Sequence, residues 1–489
     1  MKNKKKSNNG KIKGAILVYI LMVASISLTL LTSLAIFVAS NQRNSSNEVS
    51  RQKALQFAEE GVYYYRWYLA HSLDGKNQQQ IRDFWENNNP LGVSESFNRE
   101  VLNFDGELLG EFELSVIPPE SNSTIVLVES TGWTYRHPHI KKKIKVRFRK
   151  PSWSEFSVLA NDNMRFGEGT NVFGPIHSNQ GIRFDGQANN VITSAVETYL
   201  DPDSGQIKPG VWTSKGDETQ VFLAGKDYPV PAIDFNSVTS DLNLIRQEAQ
   251  NEGIYLDDDL VTFEECRDRW VGGWPPSTWW KWICSDETED VLGYHIMLRV
   301  DGKIEVRRVW DYVESLYEIK EETEAEIFNY PPNGLIFVDK HLWVDGQING
   351  NQLTIASADF ESSVETNIHI NNDILYTNYD GSDIIGLIAE NNITVGYYSE
   401  NDLEIDGALL AQKGRVGRDL YPRFYGYSYR DKITIRGSIA TNKRYGFAYT
   451  DGTGYDVRNL YFDNNLIYFP PPYFPTGTVY SLDLWEDIK

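Results

Sequence analysis

Residues 15–39 read AILVYILMVASISLTLLTSLAIFVA, and no residue in this run is charged. A helix of that length would reach roughly 37 Å at 1.5 Å per residue, and the hydrocarbon core of a bilayer is about 30 Å thick. The run therefore predicts one transmembrane helix in contact with membrane lipid. The residues on either side of it decide where the rest of the chain lies.

The residues before the run set its orientation. Positions 1–13 contain no acid and six lysines, namely Lys2, Lys4, Lys5, Lys6, Lys11 and Lys13. Short lysine-rich flanks are held in the cytoplasm. We therefore expect a single-pass protein of the cytoplasmic membrane, with its N-terminus inside and residues 40–489 extracytoplasmic. A cleaved secretory signal is the alternative, although the apolar region of such signals is usually only about 7–15 residues long.

Helical spacing continues beyond the apolar run. Between positions 49 and 73, apolar residues recur with near-helical spacing and charged residues occupy the other faces. The pattern predicts one rod over residues 15–73, half in lipid and half packed on a domain. Strand patterns at residues 111–117, 124–130 and 139–150, separated by turn residues, predict a small antiparallel sheet beneath the rod.

The N-terminal residues resemble a known group of proteins. Lys13-Gly14-Ala15, the apolar helix with scattered Ser and Thr, and the stretch ALQFAEEGVYYYRWYLA at residues 54–70 are similar to the N-termini of PilX-type minor pilins and GspK-type pseudopilins. The resemblance covers about residues 1–150. It implies a prepilin leader that a prepilin peptidase cuts after Gly14, so that Ala15 becomes the methylated N-terminus. It also implies a pilin-like α+β module and other pilin subunits as partners.

One position departs from the pattern of this group. Its major pilins carry Glu at the fifth mature position, where this chain has Tyr19. A carboxylate in lipid is costly and persists only with a partner, which in major pilins is thought to be the terminal amine of a neighbouring subunit. In the resembled families, the absence of this acid goes with rare subunits at a filament tip. The resemblance therefore favours a minor or tip pilin-like component of a type IV filament, with an adhesive or surface-recognition role, in the cell envelope or an extracellular pilus.

The composition fits an extracellular, β-rich remainder. The chain has 28 Tyr, 22 Phe and 13 Trp, and its formal net charge is −21. Such a charge repels nucleic acid over most of the surface, so nucleic acid is an unlikely partner. The strand pattern at residues 139–150 places Lys143, Lys145, Arg147 and Arg149 on one face. We expect this basic face to be solvated or paired with the protein's own acids, and contact with phosphate is the alternative.

Short strand-like units recur around a glycine in two parts of the chain. They read TNVFGPIHSN, IRFDGQANN, LWVDGQING, LEIDGALLA and ITIRGSIAT. One such unit cannot bury its apolar face alone, whereas stacked units can, so the repeats predict an all-β parallel β-helix, or solenoid. A β-sandwich is the competing interpretation, because short strands separated by turns fit it as well.

These patterns divide the chain into six parts. They are a basic prepilin-like leader (1–14), a transmembrane helix (15–39), a pilin-like helix and antiparallel sheet (40–150), a first β-solenoid segment (151–235), an inserted α+β subdomain with the cysteine pair (236–330), and a second β-solenoid segment with a C-terminal cap (331–489). The proline-rich stretch at residues 470–472 cannot extend a strand ladder, and it is expected to cover the open end of the solenoid.

The inserted subdomain carries the candidate binding residues. Cys266 and Cys284 are the two cysteines of the chain, and they form either a disulfide or two buried free thiols. No second cysteine pair or spaced histidine pair accompanies them, so no metal is predicted. Trp residues cluster between and beside them: Trp270, Trp274, Trp279, Trp280 and Trp282. They could recognise a surface glycan or protein, or they could pack inside the subdomain.

An enzymatic role is weaker. Asp185, Asp345 and Asp406 each precede a repeat glycine, but Asp before Gly is also favoured in turns. We expect no catalytic residue, no cofactor and no enzyme activity. The alternative function is a membrane-tethered β-helix protein that binds or cleaves polysaccharide and never enters a filament.

Overall fold

The computed structural model describes residues 10–74, 76, 78–119, 123–235, 238–257, 260–271, 279–361, 365–477 and 480–488. Its α-helices are α1 (Gly10–Leu73), α2 (Gln78–Glu86) and α3 (Val238–Glu252). The strands up to α3 are β1 (Phe97–Leu102), β2 (Leu108–Ile117), β3 (Ile125–Thr134), β4 (His137–Arg149), β5 (Val158–Ala160), β6 (Met164–Phe166), β7 (Thr170–Phe173), β8 (Ile176–Ser178), β9 (Ile182–Phe184), β10 (Gln187–Ala188), β11 (Ile192–Ser194), β12 (Thr198–Leu200), β13 (Ile207–Pro209), β14 (Val211–Trp212) and β15 (Lys226–Asp227).

The strands after α3 are β16 (Ile254–Leu256), β17 (Leu260–Val271), β18 (Trp279–Asp290), β19 (Gly293–Arg299), β20 (Lys303–Val313), β21 (Glu318–Glu322), β22 (Glu326–Asn329), β23 (Leu335–Val338), β24 (His341–Ile348), β25 (Gln352–Ser357), β26 (Ile368–Ile370), β27 (Ile374–Tyr376), β28 (Ile384–Ala389), β29 (Ile393–Val395), β30 (Asp402–Ala411), β31 (Val416–Arg418), β32 (Tyr429–Thr441), β33 (Gly454–Phe462) and β34 (Ser481–Ile488). The molecule is thus a long N-terminal helix followed by a largely β chain.

The first half of α1 exposes apolar side chains on every side. Leu28 is 68% exposed and Phe37 is 62% exposed. Three of its hydroxyls donate to carbonyl oxygens of the preceding turn: Ser25, Thr32 and Thr29, the last to the Ser25 oxygen at 2.8 Å. That is how a spanning helix must treat polar groups in hydrocarbon. Among the described residues, α1 is the one helix long and apolar enough to cross a membrane, which fits a single-pass membrane protein.

The second half of α1 packs on an antiparallel sheet. Ala54, Ala58, Val62, Tyr65 and Leu69 are buried at intervals of three or four residues, as one face of a helix requires. The five strands lie in the order β1-β2-β3-β4-β34, and the helix contacts β2, β3 and β4. We call this half of α1, together with α2 and the five strands, the N-terminal module.

The last strand of this sheet comes from the far end of the chain. β34 runs antiparallel to β4, with Ser481 opposite Arg149 in the register. Asp483 accepts from Arg147 at 2.6 Å, and Lys143 pairs with Glu129 at 2.9 Å. Arg149 pairs with Glu155. The basic face of β4 is therefore matched by acids of the same molecule, as the first of the two alternatives for this strand expects.

Most of the other strands form three series of parallel pairs, which together we call the parallel body. Antiparallel pairs join β20 to β19, β21 and β22, and β17 to β18. The first series is β16-β23-β25-β28-β30-β32-β5-β8-β11-β15. The second series is β19-β24-β26-β29-β31. The third series is β24-β27-β30-β32-β33-β7-β10. Shorter pairings join β6, β9 and β14 in parallel and β12 with β13 in antiparallel.

Register in these series stacks apolar residues of similar size. In the first series, the buried column runs through Ile336, Ile355, Leu387, Leu409, Ile439, Val158, Ile176 and Ile192. Full burial of such a side chain contributes about 1.5–3 kcal/mol. Because a slip of one residue would turn the whole column outward, this core also fixes the register.

The chain order of the body differs from its spatial order. β5 pairs with β32 and β7 pairs with β33, so residues 158–227 continue the stack that residues 335–462 build. The chain then returns through α3 to β16 at the other end of the first series. α3 covers the outer face of that series, where Leu242 and Ile245 pack in one cluster with Phe337.

Two predicted boundaries change as a result. Residues 236–330 were expected to form a separate insertion, but β16 pairs with β23 and β19 pairs with β24 in parallel. These strands extend the body because their alternate residues are apolar and add to its core, for example Tyr294 and Ile296. Neither strand has the strand–glycine–strand pattern of the repeat units, and Gly293 only begins β19. The repeats therefore did not predict that β16 and β19 belong to the body.

The predicted C-terminal cap also lies elsewhere. Thr354 donates its hydroxyl to the Pro472 carbonyl oxygen at 2.5 Å, and Pro471 occupies the space beside Gly386, where a Cβ would meet it at 2.6 Å. The prolines therefore lie on the side of β25 and β28 instead of on an end. Proline lacks an N–H for a ladder but packs flat on a covered face. β34, which also lies in the predicted 331–489 segment, belongs to the N-terminal module.

A further contact joins the module to the body. Arg82 on α2 donates to the Tyr473 hydroxyl at 2.6 Å and pairs with Glu248 of α3 at 3.1 Å. Tyr473 in turn donates to Glu248 at 3.0 Å. The three side chains are partly buried, so this triad holds more firmly than an exposed ion pair.

Gly132 of β3 sets the distance between helix and sheet. A Cβ at this position would lie 2.3 Å from the Ala54 oxygen and 2.5 Å from the Ala58 nitrogen of α1. Gly132→Ala therefore has to push α1 away, and we expect a loss of about 1–3 kcal/mol in the free energy of unfolding, measured by urea titration of the full chain in detergent. Gly216→Ala is the matched control, because no atom lies within 4 Å of its Cβ. Equal values for the parent and Gly132→Ala would contradict this packing.

Candidate functional site

The two cysteines join the strands of a long hairpin. Cys266 of β17 lies opposite Cys284 of β18, and their sulfur atoms are bonded. Glu264 lies close to both sulfurs. A metal would need thiolates at this place, and a disulfide offers none. Among the described residues, these three form the one group with metal-ligand spacing.

The hairpin is anchored at its base and free beyond it. Val261 is buried, and the ring of Phe263 stacks on Trp310 at 4.7 Å. In the described part of the chain, β17 and β18 pair only with each other, and residues 284–290 are exposed. An isolated two-stranded hairpin is marginally stable in water. The disulfide closes an 18-residue separation and contributes about 3 kcal/mol in the chain-entropy model.

The predicted recognition tryptophans lie on this hairpin or next to it. Trp270, Trp279, Trp280 and Trp282 are in its strands, with Trp270 opposite Trp280, and their backbone alone is described. Trp274 lies outside the described residues. The processing residues Gly14 and Ala15 are within α1, and leader positions 1–9 also lie outside the described residues.

The three aspartates before the repeat glycines have separate partners. Asp185 accepts from the Ser214 backbone N–H at 2.8 Å and pairs with Arg183, and Asp406 accepts from Tyr379 at 2.8 Å. Burial raises the pKa of Asp406 to about 6. In the register, Asp406 lies opposite Arg436, and Asp345 lies opposite Met297. The strands therefore do not set the carboxylates opposite each other for acid–base chemistry.

Asp345 belongs instead to an ion cluster that the sequence did not indicate. His295 Nε2 lies 3.2 Å from Asp345 Oδ2, and His295 Nδ1 lies 2.9 Å from Glu322 Oε2. Burial alone would lower the pKa of His295, but the hydrogen bonds and charges of the two carboxylates outweigh it and raise the pKa to about 9. The imidazole is then protonated at neutral pH and cannot serve as a general base. The cluster connects β19, β21 and β24 electrostatically.

A second feature is a cluster of tyrosines, of which Tyr398, Tyr425 and Tyr427 are exposed and Tyr397 and Tyr421 are buried. Tyr397, Tyr398, Tyr421, Tyr425 and Tyr427 form what we call the tyrosine surface. The other four rings stand nearly perpendicular to Tyr397, with centroids 4.8–5.9 Å away. Next to them, Phe424 is 82% exposed and Leu420 is 57% exposed. Exposed apolar groups of this size mark an interaction site.

A buried arginine holds the tyrosine surface in place. The Arg418 side chain is fully buried, and its guanidinium donates to the carbonyl oxygens of Gly396 at 2.6 Å and Tyr427 at 2.7 Å. It also donates to the Ser399 hydroxyl at 2.6 Å. One side chain thereby fixes both chain segments that carry the tyrosines, since a guanidinium presents its donors in a rigid fork.

Sequence reasoning missed this surface, although a signal was present. Residues 420–429 read LYPRFYGYSY, a higher density of aromatic rings than around the predicted tryptophans. The repeat glycines indicate strands, whereas residues 420–428 lie in the loop between β31 and β32, where no such repeat occurs. Loops on a rigid scaffold are where binding residues concentrate.

No family model and no curated protein matches this sequence. Among solved structures, the chain is similar to the competence-associated pilin ComZ from Thermus thermophilus, with 12% sequence identity and a TM-score of 0.30. The alignment covers 90% of this chain and 98% of that chain. So low a TM-score does not establish a common fold. The function proposed below therefore depends on this chain's own residues.

Removal of the disulfide should loosen the hairpin alone. In a Cys266→Ser/Cys284→Ser chain, we expect amide hydrogen exchange in β17 and β18 to rise on the order of a hundredfold, as a loss of about 3 kcal/mol implies. Exchange in β25 and β28 is the internal control and should not change, because these strands are paired on both sides. Unaltered exchange in the hairpin would mean that its own pairing suffices.

The His295 cluster predicts a pH dependence of stability. The folded-state pKa of about 9 lies above the ordinary value of 6.5, so the ion pairs stabilise the fold fully below pH 6.5 and lose this effect as the pH rises through 9. The urea midpoint of the parent should therefore fall between pH 6.5 and 9.5 by more than that of His295→Gln. His139→Gln, at an exposed histidine, is the control and should follow the parent. Parallel curves for the parent and His295→Gln would contradict the charged cluster.

Proposed function

We propose that this protein is a minor or tip subunit of a type IV filament, with a head that recognises surfaces. The observation that supports this most is the continuity of α1. Its apolar half is exposed on all sides, and without a break it becomes the half that packs on the antiparallel sheet. A simple anchor needs only about 20 apolar residues and no such continuation.

The exposed half of α1 would then have two successive environments. In the membrane it contacts lipid, and in a filament the same apolar surface packs against the helices of other pilin subunits. Tyr19 is 69% exposed in the isolated chain. A tyrosine at this position cannot supply the charge that a glutamate would offer to a neighbouring amine, which favours a rare subunit over a repeating one.

We further propose that the parallel body is a β-solenoid. Its three series of parallel pairs share β24, β30 and β32, as successive turns of one coil would. The first series alone links ten strands in continuous register, and this gives a rigid support on which loops can be displayed.

The role of the head is binding without catalysis. His295 and the aspartates before the repeat glycines already have fixed partners, whereas Tyr398, Tyr425 and Tyr427 have exposed rings. The hairpin tryptophans stay a predicted second recognition surface. A membrane-tethered polysaccharide-binding protein outside any filament is the second candidate, and the tyrosine surface would serve it equally well.

Processing of the leader separates the two candidates. Produced in a bacterial host that contains prepilin peptidase, the chain should begin at an N-methylated Ala15 by mass analysis, and without the peptidase it should keep residues 1–14. Gly14→Val should block the cut. Gly10→Val is the matched control within the leader and should still be processed. A chain that begins near Ser40, or keeps residues 1–14 beside an active peptidase, would contradict the filament role.

A further inference from the structure

A cavity of about 600 Å³ opens at the tyrosine surface. Its walls are the rings of Tyr317, Tyr397, Tyr398, Tyr421 and Tyr425, and Asp419 lies among them. A volume of this size is within the range of small-molecule sites, which combine apolar walls with a few placed polar groups. We call it the tyrosine pocket.

Three chain segments line the pocket, namely residues 315–317, 397–398 and 419–425, and hydrogen bonds of Tyr317 hold the first of them in place. The turn between β20 and β21 contributes Tyr317, which has a φ of 56°, unusual for a bulky residue. Its carbonyl oxygen accepts from Trp343 Nε1 at 2.9 Å and from Asn371 Nδ2 at 3.1 Å. Its hydroxyl donates to Asp419 at 2.7 Å. Hydrogen bonds to its carbonyl oxygen and from its hydroxyl hold Tyr317 in this strained conformation. This wall of the pocket is therefore preformed.

The pocket contains a polar group without a partner. Tyr421 is 5% exposed, and its hydroxyl has no hydrogen-bond partner among the described residues. Such a buried hydroxyl costs about 1–3 kcal/mol. Burial also raises the pKa of Tyr421, so the hydroxyl keeps its proton and can donate at neutral pH. The hydroxyl is enclosed by its neighbours, so the ring of Tyr421 and not its hydroxyl forms the surface that a ligand would touch.

Asp419 supplies an acceptor at the pocket wall. One of its oxygens accepts from Tyr317 and the other accepts from Arg415 at 2.8 Å. Its side chain is still 40% exposed, and a carboxylate has about four acceptor positions. It can therefore accept from a further hydroxyl of a ligand.

The charges around the pocket disfavour a cationic ligand. Aromatic cages bind quaternary ammonium groups, but here the guanidinium of Arg418 already lies 4.9 Å from the Tyr421 ring centroid, and that of Arg430 lies 4.8 Å from the Tyr427 ring centroid. The negative charge of Asp419 is paired with Arg415. The local balance is positive, which disfavours a cation, while the guanidinium groups of Arg418 and Arg430 are buried and donate to protein oxygens, so they are not open to an anion. An uncharged ligand with apolar faces and hydroxyl edges therefore fits better.

We propose that the tyrosine pocket binds a neutral sugar ring of a surface glycan. The C–H faces of the ring pack on Tyr398 and Tyr425, and its hydroxyls donate to the free acceptor positions of Asp419. This inference rests on the recognition role proposed above and names the ligand class and the site for it.

The test uses the full chain in a polyoxyethylene detergent, whose headgroup carries neither sugar nor ammonium. Saturation-transfer NMR is recorded with methyl glycosides of glucose, galactose, mannose, N-acetylglucosamine and N-acetylgalactosamine, and with tetramethylammonium. We expect ring-proton transfer to at least one glycoside. Tyr398→Ala and Tyr425→Ala should abolish it, and Asp419→Asn, which keeps the shape of the side chain but removes its charge, should weaken binding about tenfold.

Tyr429→Ala is the matched control, because Tyr429 is 49% exposed and lies outside the pocket wall. It should bind like the parent. The proposal is overturned if no glycoside receives saturation, if tetramethylammonium alone does, or if Asp419→Asn and the two alanine variants bind like the parent. A chain that is processed at Ala15 but binds no glycoside would contradict the sugar site and leave the filament role intact, and the converse result would do the opposite.

Discussion

The pairing of β34 with β4 is the constraint on which the rest of the structure depends. Ser481 lies opposite Arg149, so residues 150–480 leave the N-terminal sheet and return to it at one point. Closing a loop of that length costs about 5 kcal/mol in chain entropy. The folded body brings the two ends together, and Asp483 fixes them through its contacts with Arg147 and Arg149. The head is therefore held at two adjacent strands, and a single flexible linker would not orient it.

The parallel body repeats this principle inside itself. β5 stacks on β32 although Val158 and its partner Ile439 are 281 positions apart, so the stack closes only when distant parts of the chain meet. Non-local pairing of this kind folds slowly and gives little stability until it is complete. In return, the outer face of the first series is covered by α3 and by the segment that contains Tyr473, and both of these contact Arg82. The two segments that cover the body, α3 and the one with Tyr473, thus also attach it to the N-terminal module.

Local patterns in the sequence predicted local structure well. The strands expected at 111–117, 124–130 and 139–150 are β2, β3 and β4 with ends shifted by a few residues, and the α1 rod ends at the expected Leu73. The repeat glycines indicated parallel stacking correctly where two of them meet, since a Cβ on Gly437 would lie 1.9 Å from the Gly407 oxygen of the neighbouring strand. Such a close approach of two backbones requires glycine, and these glycines can be recognised in the sequence.

Partners far apart in the chain left no such signal. The sequence SLDLWEDI at residues 481–488 does not indicate that this strand pairs with β4. Its acidic residues match the basic residues of β4 only once the pairing is known. Nothing in the sequence marks Arg418 as a buried residue, because its four oxygen partners come from two other segments, residues 396–399 and Tyr427.

The same arginine explains why an acidic protein can present an uncharged binding surface. With a net charge of −21, most of the exterior repels anionic partners, and attraction between exposed charges would be screened by salt. Arg418 places its charge beneath the tyrosines, where carbonyl oxygens satisfy it, and leaves aromatic rings at the exterior. Stacking on such rings depends on contact area and shape and depends little on ionic strength. If the head binds a surface as proposed, this arrangement keeps its affinity less dependent on salt than a charged patch would.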